Sequence, residues 1–457
     1  MPISESTRRT FIKSSIAASA VLAAPNILGT RALAQGRKFS TVLIGSGWWG
    51  TNIAREAARS GRCTIVGLSD VDTRQLDASE AELAKVTADK PKRFADHREM
   101  LEELKPDVAI VGSPDHWHAL HMIDAVNAGA HVYVEKPISH TIMEGRAMVN
   151  AARRMGRVVQ VGTHRRISPH NLSGFDFIRS GRVGKVGMVR CFVHYGGGAE
   201  TPVRNTEPPK ELDWDRWCGP APLRHYSGNQ IGGWGGGIHP KGFRNYLDYA
   251  NGTLGDWGIH WLDQVLWVMD RKAPQTVFST GGRPIKGEAV YNEREQTSDA
   301  PDHQLATYDF EDFSVSWEHR QFAGNKAEKT HPQQAVGCYF YGTEGTFHMG
   351  WLDGWTFYPN NPNADVIHED AQLHAPDDQN IRELWADFMT AIDTGSKPAC
   401  DIEEIHYSTN MALLGMLSLK HGKSIEWDGE AERCVGDDAA NLLLRRDYRD
   451  GYEYPTV

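Results

Sequence analysis

Three glycines in the run Gly45-Ser46-Gly47-Trp48-Trp49-Gly50 follow an apolar stretch, Phe39 to Ile44. An acid, Asp70, closes a second apolar stretch, Thr64 to Leu68. The spacing is that of a turn that cradles a dinucleotide. The first glycine allows a sharp bend, the second lets the backbone approach a pyrophosphate, and the third lets helix pack on strand. The helix start then offers N–H groups to the phosphates. A carboxylate at Asp70 can accept both ribose hydroxyls and would repel a 2′-phosphate. Arg74 pulls the other way, but Asp72 adds negative charge, so NAD is expected over NADP.

Two further segments sit where apolar strands end. Val108 to Gly112 runs into Ser113-Pro114-Asp115-His116-Trp117-His118, and His131 to Val134 runs into Glu135-Lys136-Pro137. Ligands of an open α/β sheet bind at such carboxyl ends. Ser113, Pro114, His118, Glu135 and Lys136 therefore join Gly45, Gly47, Trp48, Trp49, Gly50 and Asp70 as expected cofactor-binding residues. A lysine before proline is held extended, and the X–Pro bond can be cis, which would fix its direction. Beside a positive nicotinamide ring its pKa would fall, and it could exchange a proton with a hydroxyl. On pattern alone a lysine in a surface turn fits equally well. His116, His118 and His121 cluster, but no carboxylates are arranged to complete a metal site, so packing roles and no metal are expected.

The elements that must position these groups change character along the 457 residues. From Lys38 to about Gly162, short apolar strands (Ser40–Ile44, Thr64–Leu68, Val108–Gly112, His131–Val134, Val158–Val161) alternate with amphipathic helices (Trp49–Arg59, Asp77–Val86, His118–Ala128, Ile142–Met155). That rhythm predicts a doubly wound parallel sheet. Beyond Gly162, strands rich in β-branched and aromatic residues are predicted at Lys185–Tyr195, Thr276–Thr280, Gln304–Asp309, Ser314–His319, Ala335–Tyr341 and Gly345–Met349. Helices are predicted at Leu254–Met269, Ile381–Thr394 and Ile402–His421. The fold class is thus α/β plus α+β, the second unit being an open, mainly antiparallel sheet with helices on one face. Pro202 to Asn251, rich in Gly, Pro and Trp, reads as a long ordered loop of the functional kind.

Composition narrows the classes of partner. Apolar residues at 40% and charged residues at 24% are ordinary for a globular protein of two domains. The formal charge of -10 is unsuited to nucleic acid and to anionic lipid. The first 34 residues are different. Arg8, Arg9, Lys13 and Arg31 outnumber Glu5, so the rest of the chain is more acidic still. Thr7-Arg8-Arg9-Thr10-Phe11-Ile12-Lys13, an alanine-rich apolar stretch and Ala32-Leu33-Ala34 read as a twin-arginine leader with its cleavage site, an ordinary amphipathic N-terminal helix being the competing account. The expected division is a signal peptide over 1–34, a nucleotide domain over 38–162 and a second domain over 163–457. No membrane span is expected after the leader. Twin-arginine export, to the periplasm or otherwise out of the cytoplasm, carries folded proteins, which fits a cofactor loaded beforehand and held tightly. Cys63, Cys191, Cys218, Cys338, Cys400 and Cys434 have no metal or redox spacing, and buried free thiols are expected.

Glu135-Lys136-Pro137, preceded by Ala128-Gly129-Ala130-His131-Val132, resembles the E-K-P segment of the glucose–fructose oxidoreductase / inositol dehydrogenase / MocA family. Gly252-Thr253-Leu254-Gly255-Asp256-Trp257-Gly258-Ile259-His260 resembles that family's D-x-x-x-H helix start. Val161 to Arg166 and Trp214 to Pro220 match in the same order. The resemblance implies a Rossmann domain followed by an open antiparallel sheet domain that forms homo-oligomers. It implies catalytic positions at Lys136, Asp256 and His260, the last two sharing a helix face. His260 would be the base, Lys136 would polarise the alkoxide, and Asp256 would orient substrate or imidazole. A helix cap with a core histidine is the competing account of Asp256 and His260. His164, Arg165 and His239 would contact substrate. Within the family the double tryptophan and the long Pro202–Asn251 segment are departures, leaving an unusual substrate or a sealed cofactor open.

The implied activity is oxidation of a sugar, polyol or sugar derivative, or hydride exchange between two sugars. A second reading is a glycoside-cleaving enzyme that oxidises its sugar transiently and eliminates the leaving group. A third is a carbohydrate-binding relic, which retention of Lys136, Asp256 and His260 argues against.

Overall fold

The protein, seen in a computed structural model, is described over residues 38–227, 237–238, 242–324, 335–373 and 376–456. The leader and His239 lie outside the described residues. The first unit runs β1 (Phe39–Ile44), α1 (Trp48–Arg59), β2 (Cys63–Ser69), α2 (Thr73–Leu83), β3 (Lys92–Phe94), α3 (His97–Leu104), β4 (Val108–Val111), α4 (His118–Asn127), β5 (His131–Val134), α5 (Ile142–Met155) and β6 (Val159–Val161). All its strand pairs are parallel, in the order β3-β2-β1-β4-β5-β6. Helices cover both faces, so strands such as Val108–Val111 are buried throughout and read as apolar runs. Strand order reverses between β1 and β4, which opens a crevice at their carboxyl ends.

Local chemistry sets the boundaries. Asp72 caps α2 by accepting from the Arg74 amide, so the helix begins at Thr73, four residues before the predicted start at Asp77. Thr141 and Glu144 form a capping box at the head of α5, and Gly156 ends it in a left-handed conformation. β3 and α3 had no counterpart in the predicted elements. Lys92-Arg93-Phe94 carries two charges in three residues and has no apolar alternation to read.

The second unit adds α6 (Pro169–Arg179), β7 (Val186–His194), β8 (Val203–Arg204), α7 (Trp214–Cys218), a π-helical turn (Leu254–Gly258) leading into α8 (Ile259–Met269), β9 (Thr276–Gly282), β10 (Glu295–Gln296), β11 (His303–Asp309), β12 (Ser314–Arg320), β13 (Val336–Gly342), β14 (Gly345–Gly350), β15 (Trp355–Pro359) and β16 (Ile367–Glu369). It ends with α9 (Pro376–Thr394), α10 (Ile402–His421), β17 (Ile425–Asp428), β18 (Arg433–Cys434) and α11 (Asp438–Leu442). Ten strands pair in the order β16-β15-β14-β13-β7-β12-β11-β9-β17-β18. Among the described residues every pair is antiparallel except β12 with β7. Side chains alternate across the sheet, so Val189, Cys191 and Val193 meet α8 and α10 in a shared core. The stretch expected as a loop, Pro202 to Asn251, contains α7 and pairs β8 with β10.

The two cores do not divide at residue 162. Ile381, Leu384, Trp385 and Phe388 of α9, with Ile402 and Ile405 of α10, pack into the core of the parallel sheet. Trp385 is fully buried, its ring 5.7 Å from that of Tyr133 on β5. Two of the last helices thus brace the first unit. All six cysteines are buried free thiols.

Candidate active site

One cavity of about 1220 Å³ runs along the crevice and under the second unit. It is larger than a typical small-ligand pocket of roughly 300–1,000 Å³, leaving room for a dinucleotide and a second molecule. The glycine turn forms one wall. Gly45 has φ +84°, and a Cβ there would lie 2.5 Å from the Ser113 amide nitrogen. A Cβ on Gly50 would lie 2.3 Å from the Gly45 carbonyl oxygen, whereas one on Gly47 would meet nothing within 4 Å. Two glycines are therefore needed for packing. The third keeps open the space that a pyrophosphate would take. Gly47 also precedes α1 with no side chain capping the helix, which suits an anion at that end. These residues fit NAD.

Asp70 lines the same cavity and accepts from the amides of Ser46 (2.8 Å) and Asp72 (2.9 Å). Burial pushes its carboxyl up to about 7, against those amide donors. Asp72 takes Arg74 in a two-point ion pair, Nε at 2.9 Å and Nη2 at 2.7 Å, so the cation that could favour a 2′-phosphate is already engaged. Asp70→Ser should weaken NAD binding by roughly tenfold or more, because hydrogen bonds to a charged acceptor are lost, and should improve NADP binding. Comparative titration of both nucleotides checks this. A wild type that binds NADP as tightly as NAD would remove Asp70 from the ribose.

Trp48, Trp49, Ser113, Pro114, His118, Glu135 and Lys136 all line the cavity. The ring nitrogens of His118 lie 2.7 Å from the Ser113 and Pro137 carbonyl oxygens, tying the β4 and β5 turns together. Burial raises the Glu135 carboxyl to about 7, opposed by Lys136 and the Trp49 indole. The Lys136–Pro137 peptide is cis. His116 and His121 are engaged by the Trp217 carbonyl and the Ser113 hydroxyl, and no group of metal-ligating side chains occurs among the described residues.

Lys136 Nζ donates to Asp256 Oδ1 at 2.7 Å and to the Asp256 carbonyl at 3.0 Å. The contact joins the end of β5 to the π-helical turn before α8. A π turn at such a place often marks a functional site. Burial alone would raise the Asp256 pKa, but Lys136 and Arg244 outweigh it and hold the group below the usual carboxylate range. His260 lies one turn further along and is buried. Desolvation, then Lys136, His164 and Arg165, keep its pKa well below the ordinary value. It is therefore neutral, and its Nδ1 has no partner among the described residues. The His164 ring stacks 5.7 Å from it, and Trp351, Trp257 and Tyr195 complete an aromatic wall.

Arg165 does not line this cavity. Its guanidinium sits 3.5 Å over the Trp351 ring and donates to the Trp351 carbonyl at 3.1 Å. Three residues absent from the expected set are central. Trp351 touches both histidines. Arg244 Nε donates to Asp256 Oδ1 at 3.3 Å. Asp115 is buried, and desolvation raises its carboxyl to about 7 despite the nearby Arg244 and Lys136 cations. Asp115 had a signal in its strand-end position. Arg244 and Trp351 come from connections with no motif.

Comparison with known proteins bears on the family and the fold. The description "Oxidoreductase family, NAD-binding Rossmann fold" covers residues 39–163, and "Oxidoreductase family, C-terminal alpha/beta domain" covers 185–326. D-glucoside 3-dehydrogenase of Escherichia coli (strain K12) is 26% identical over 292 residues, spanning 63% of this chain and 71% of that protein. A glycosyl hydrolase family 109 protein of Stenotrophomonas maltophilia (strain K279a) is 32% identical over 136 residues, 28% of this chain and 30% of that protein. Other curated relatives are matched over less than half of their length. Levoglucosan dehydrogenase, solved with NADH and L-sorbose, superposes with a TM-score of 0.65 at 16% identity, covering 85% of this chain and 99% of that one. With both of its domain descriptions matched in order over more than half of the residues, the chain belongs to the glucose–fructose oxidoreductase / inositol dehydrogenase / MocA family of NAD-binding oxidoreductases.

Proposed function

We propose that the protein oxidises a C–OH carbon of a sugar, polyol or sugar derivative, using a nicotinamide it keeps bound. The observation that carries this reading is the Lys136–Asp256 contact beside a neutral His260, all facing the cavity that holds the glycine turn. NAD, when bound, supplies the hydride acceptor. His260, uncharged at neutral pH, takes the hydroxyl proton. Lys136 stabilises the developing alkoxide, and Asp256 aims Lys136. His164 faces substrate directly, and Arg165 acts by backing Trp351. His239 remains a substrate contact in this reading. The aromatic wall suits the apolar faces of a sugar ring, and the names of D-glucoside 3-dehydrogenase and levoglucosan dehydrogenase point the same way.

A second reading has specific support. Cleavage of a glycoside through transient oxidation needs extra groups to remove a proton beside the carbonyl and to protonate the leaving group. Asp115 and Glu135, both raised to about 7, are suited to such transfers, and the glycosyl hydrolase family 109 relative supports the same chemistry. One experiment separates the two. Purified protein is mixed with a panel of free sugars, polyols and aryl glycosides while absorbance of reduced nicotinamide and aglycone release are followed. Stoichiometric reduction without release supports oxidation, and release without lasting reduction supports cleavage. Neither signal with any member of the panel would overturn both.

Export through the twin-arginine pathway to the periplasm belongs to this reading and rests on the leader sequence. Recovery of the protein only from the cytoplasm, with residues 1–34 attached, would refute it. A homo-oligomer through the large sheet is supported by that sheet's uncovered face, where Met188, Phe278, Leu305 and Tyr358 are exposed. A monomeric mass by light scattering would refute that.

A further inference from the structure

We propose that the last turn of the chain, Asp450 to Tyr452, is a wall of the dinucleotide cleft and governs how fast NAD leaves it. The inference rests on the NAD-binding assignment and adds a binding segment that the Rossmann description, residues 39–163, does not contain.

After α11 the chain crosses back to the first unit and is fastened there repeatedly. Arg446 Nε donates to Glu144 Oε1 at 2.9 Å, and its Nη2 donates to the His116 carbonyl at 2.9 Å. The Tyr448 hydroxyl donates to the same Glu144 oxygen at 2.7 Å. Arg449 ties the segment to the second unit, donating to Asp215 Oδ1 at 2.6 Å and to the Gly219 carbonyl at 3.1 Å. Beyond the crossing, Tyr454 and Thr141 share a hydroxyl hydrogen bond at 2.8 Å. A terminal segment held on both sides in this way is a fixed part of the structure, unlike an ordinary frayed end.

What it fixes is Tyr452. The tyrosine ring meets Trp117 edge-on at 5.5 Å, and Trp117 stacks on His121 at 4.4 Å. Asp450, Gly451 and Tyr452 border the same cavity as Asp70 and the segment from Ala95 to Arg98, which joins β3 to the start of α3. Asp70 marks the ribose of the adenosine half. The strap therefore closes the adenosine end of the cleft from above, joined through Arg449 to Asp215, which also borders it. A nucleotide seated there is released only when the strap yields, as with other lids that gate ligand departure. The strap accounts physically for a cofactor that stays with its protein and turns over in place.

The test times nucleotide release. Full-length protein loaded with NADH is mixed with excess NAD, and loss of nicotinamide fluorescence is followed. Tyr452→Ala and a chain ending at Arg449 should each release NADH about tenfold faster or more, since changes at a contact act mainly on dissociation. Tyr452→Phe should stay near wild type, and the melting temperature of each nucleotide-free variant should hold within a few degrees. Unchanged release from both altered proteins would overturn the proposal while leaving the NAD assignment intact. A wild type that takes up no NADH would overturn the assignment and the proposal together.

Discussion

Lys136→Ala and His260→Ala should each lower turnover at least about a hundredfold while leaving NAD bound, because a positioned acid or base supplies roughly two to four decades of rate. The two side chains come from different units and meet across one cavity. Lys136 is aimed by Asp256, and the cationic charge at Nζ helps keep His260 neutral. Each group is therefore set by its neighbours. If both act on one proton transfer, the double variant should lose far less than the product of the single losses. Single-turnover reduction of bound NAD, by whichever sugar reduces the wild type, measures this. Near-normal rates in either single variant would return that residue to a packing role.

Asp263→Ala should destabilise the protein by about 3 kcal/mol, the lower end for a broken buried ion pair, because Arg166 keeps its Nη1 contact to the half-exposed Glu404 at 2.6 Å. The partner is Arg166. Its Nε lies 3.0 Å from Asp263 Oδ2, its Nη2 lies 2.7 Å from Oδ1, and Ser408 donates to the same carboxylate at 2.7 Å. Both ion-pair side chains are almost fully buried. Asp263 follows His260 on α8, and Arg166 follows His164, so the pair locks together the two elements whose histidines stack. Urea midpoints of wild type and variant give the loss. A second variant, Arg166→Met with Asp263→Leu, should recover most of the stability, because a well-packed apolar pair can replace a buried ion pair. A loss under about 1 kcal/mol in the single variant would mean that the charge is not stranded.

Much of the chemistry was legible because it is local. The glycine turn, the cap at Asp72 and the strand ends carrying Ser113 and Glu135 each depend on a few consecutive residues obeying backbone rules. Asp256 and His260 were linked by helical spacing, and the structure keeps them on one helical run. β3 escaped because two of its three residues are charged. β15 to β18 escaped because short strands at a sheet's edge carry too few positions to show an alternation.

Read alone, the chain specifies a dinucleotide turn on a parallel sheet, a sheet-rich second unit and the residue types at three candidate positions, Lys136, Asp256 and His260. What surrounds them is set by the folded chain. Trp351 beneath His260, Arg244 beside Asp256, Asp115 near both cations and Tyr452 over the cleft lie far apart along the chain. So does α9, which braces the parallel sheet from more than two hundred residues away. The difference is one of range. Backbone conformation is set by neighbours in sequence, whereas a shifted pKa or a closed cavity is set by neighbours in space, and those are chosen by burial of the whole core.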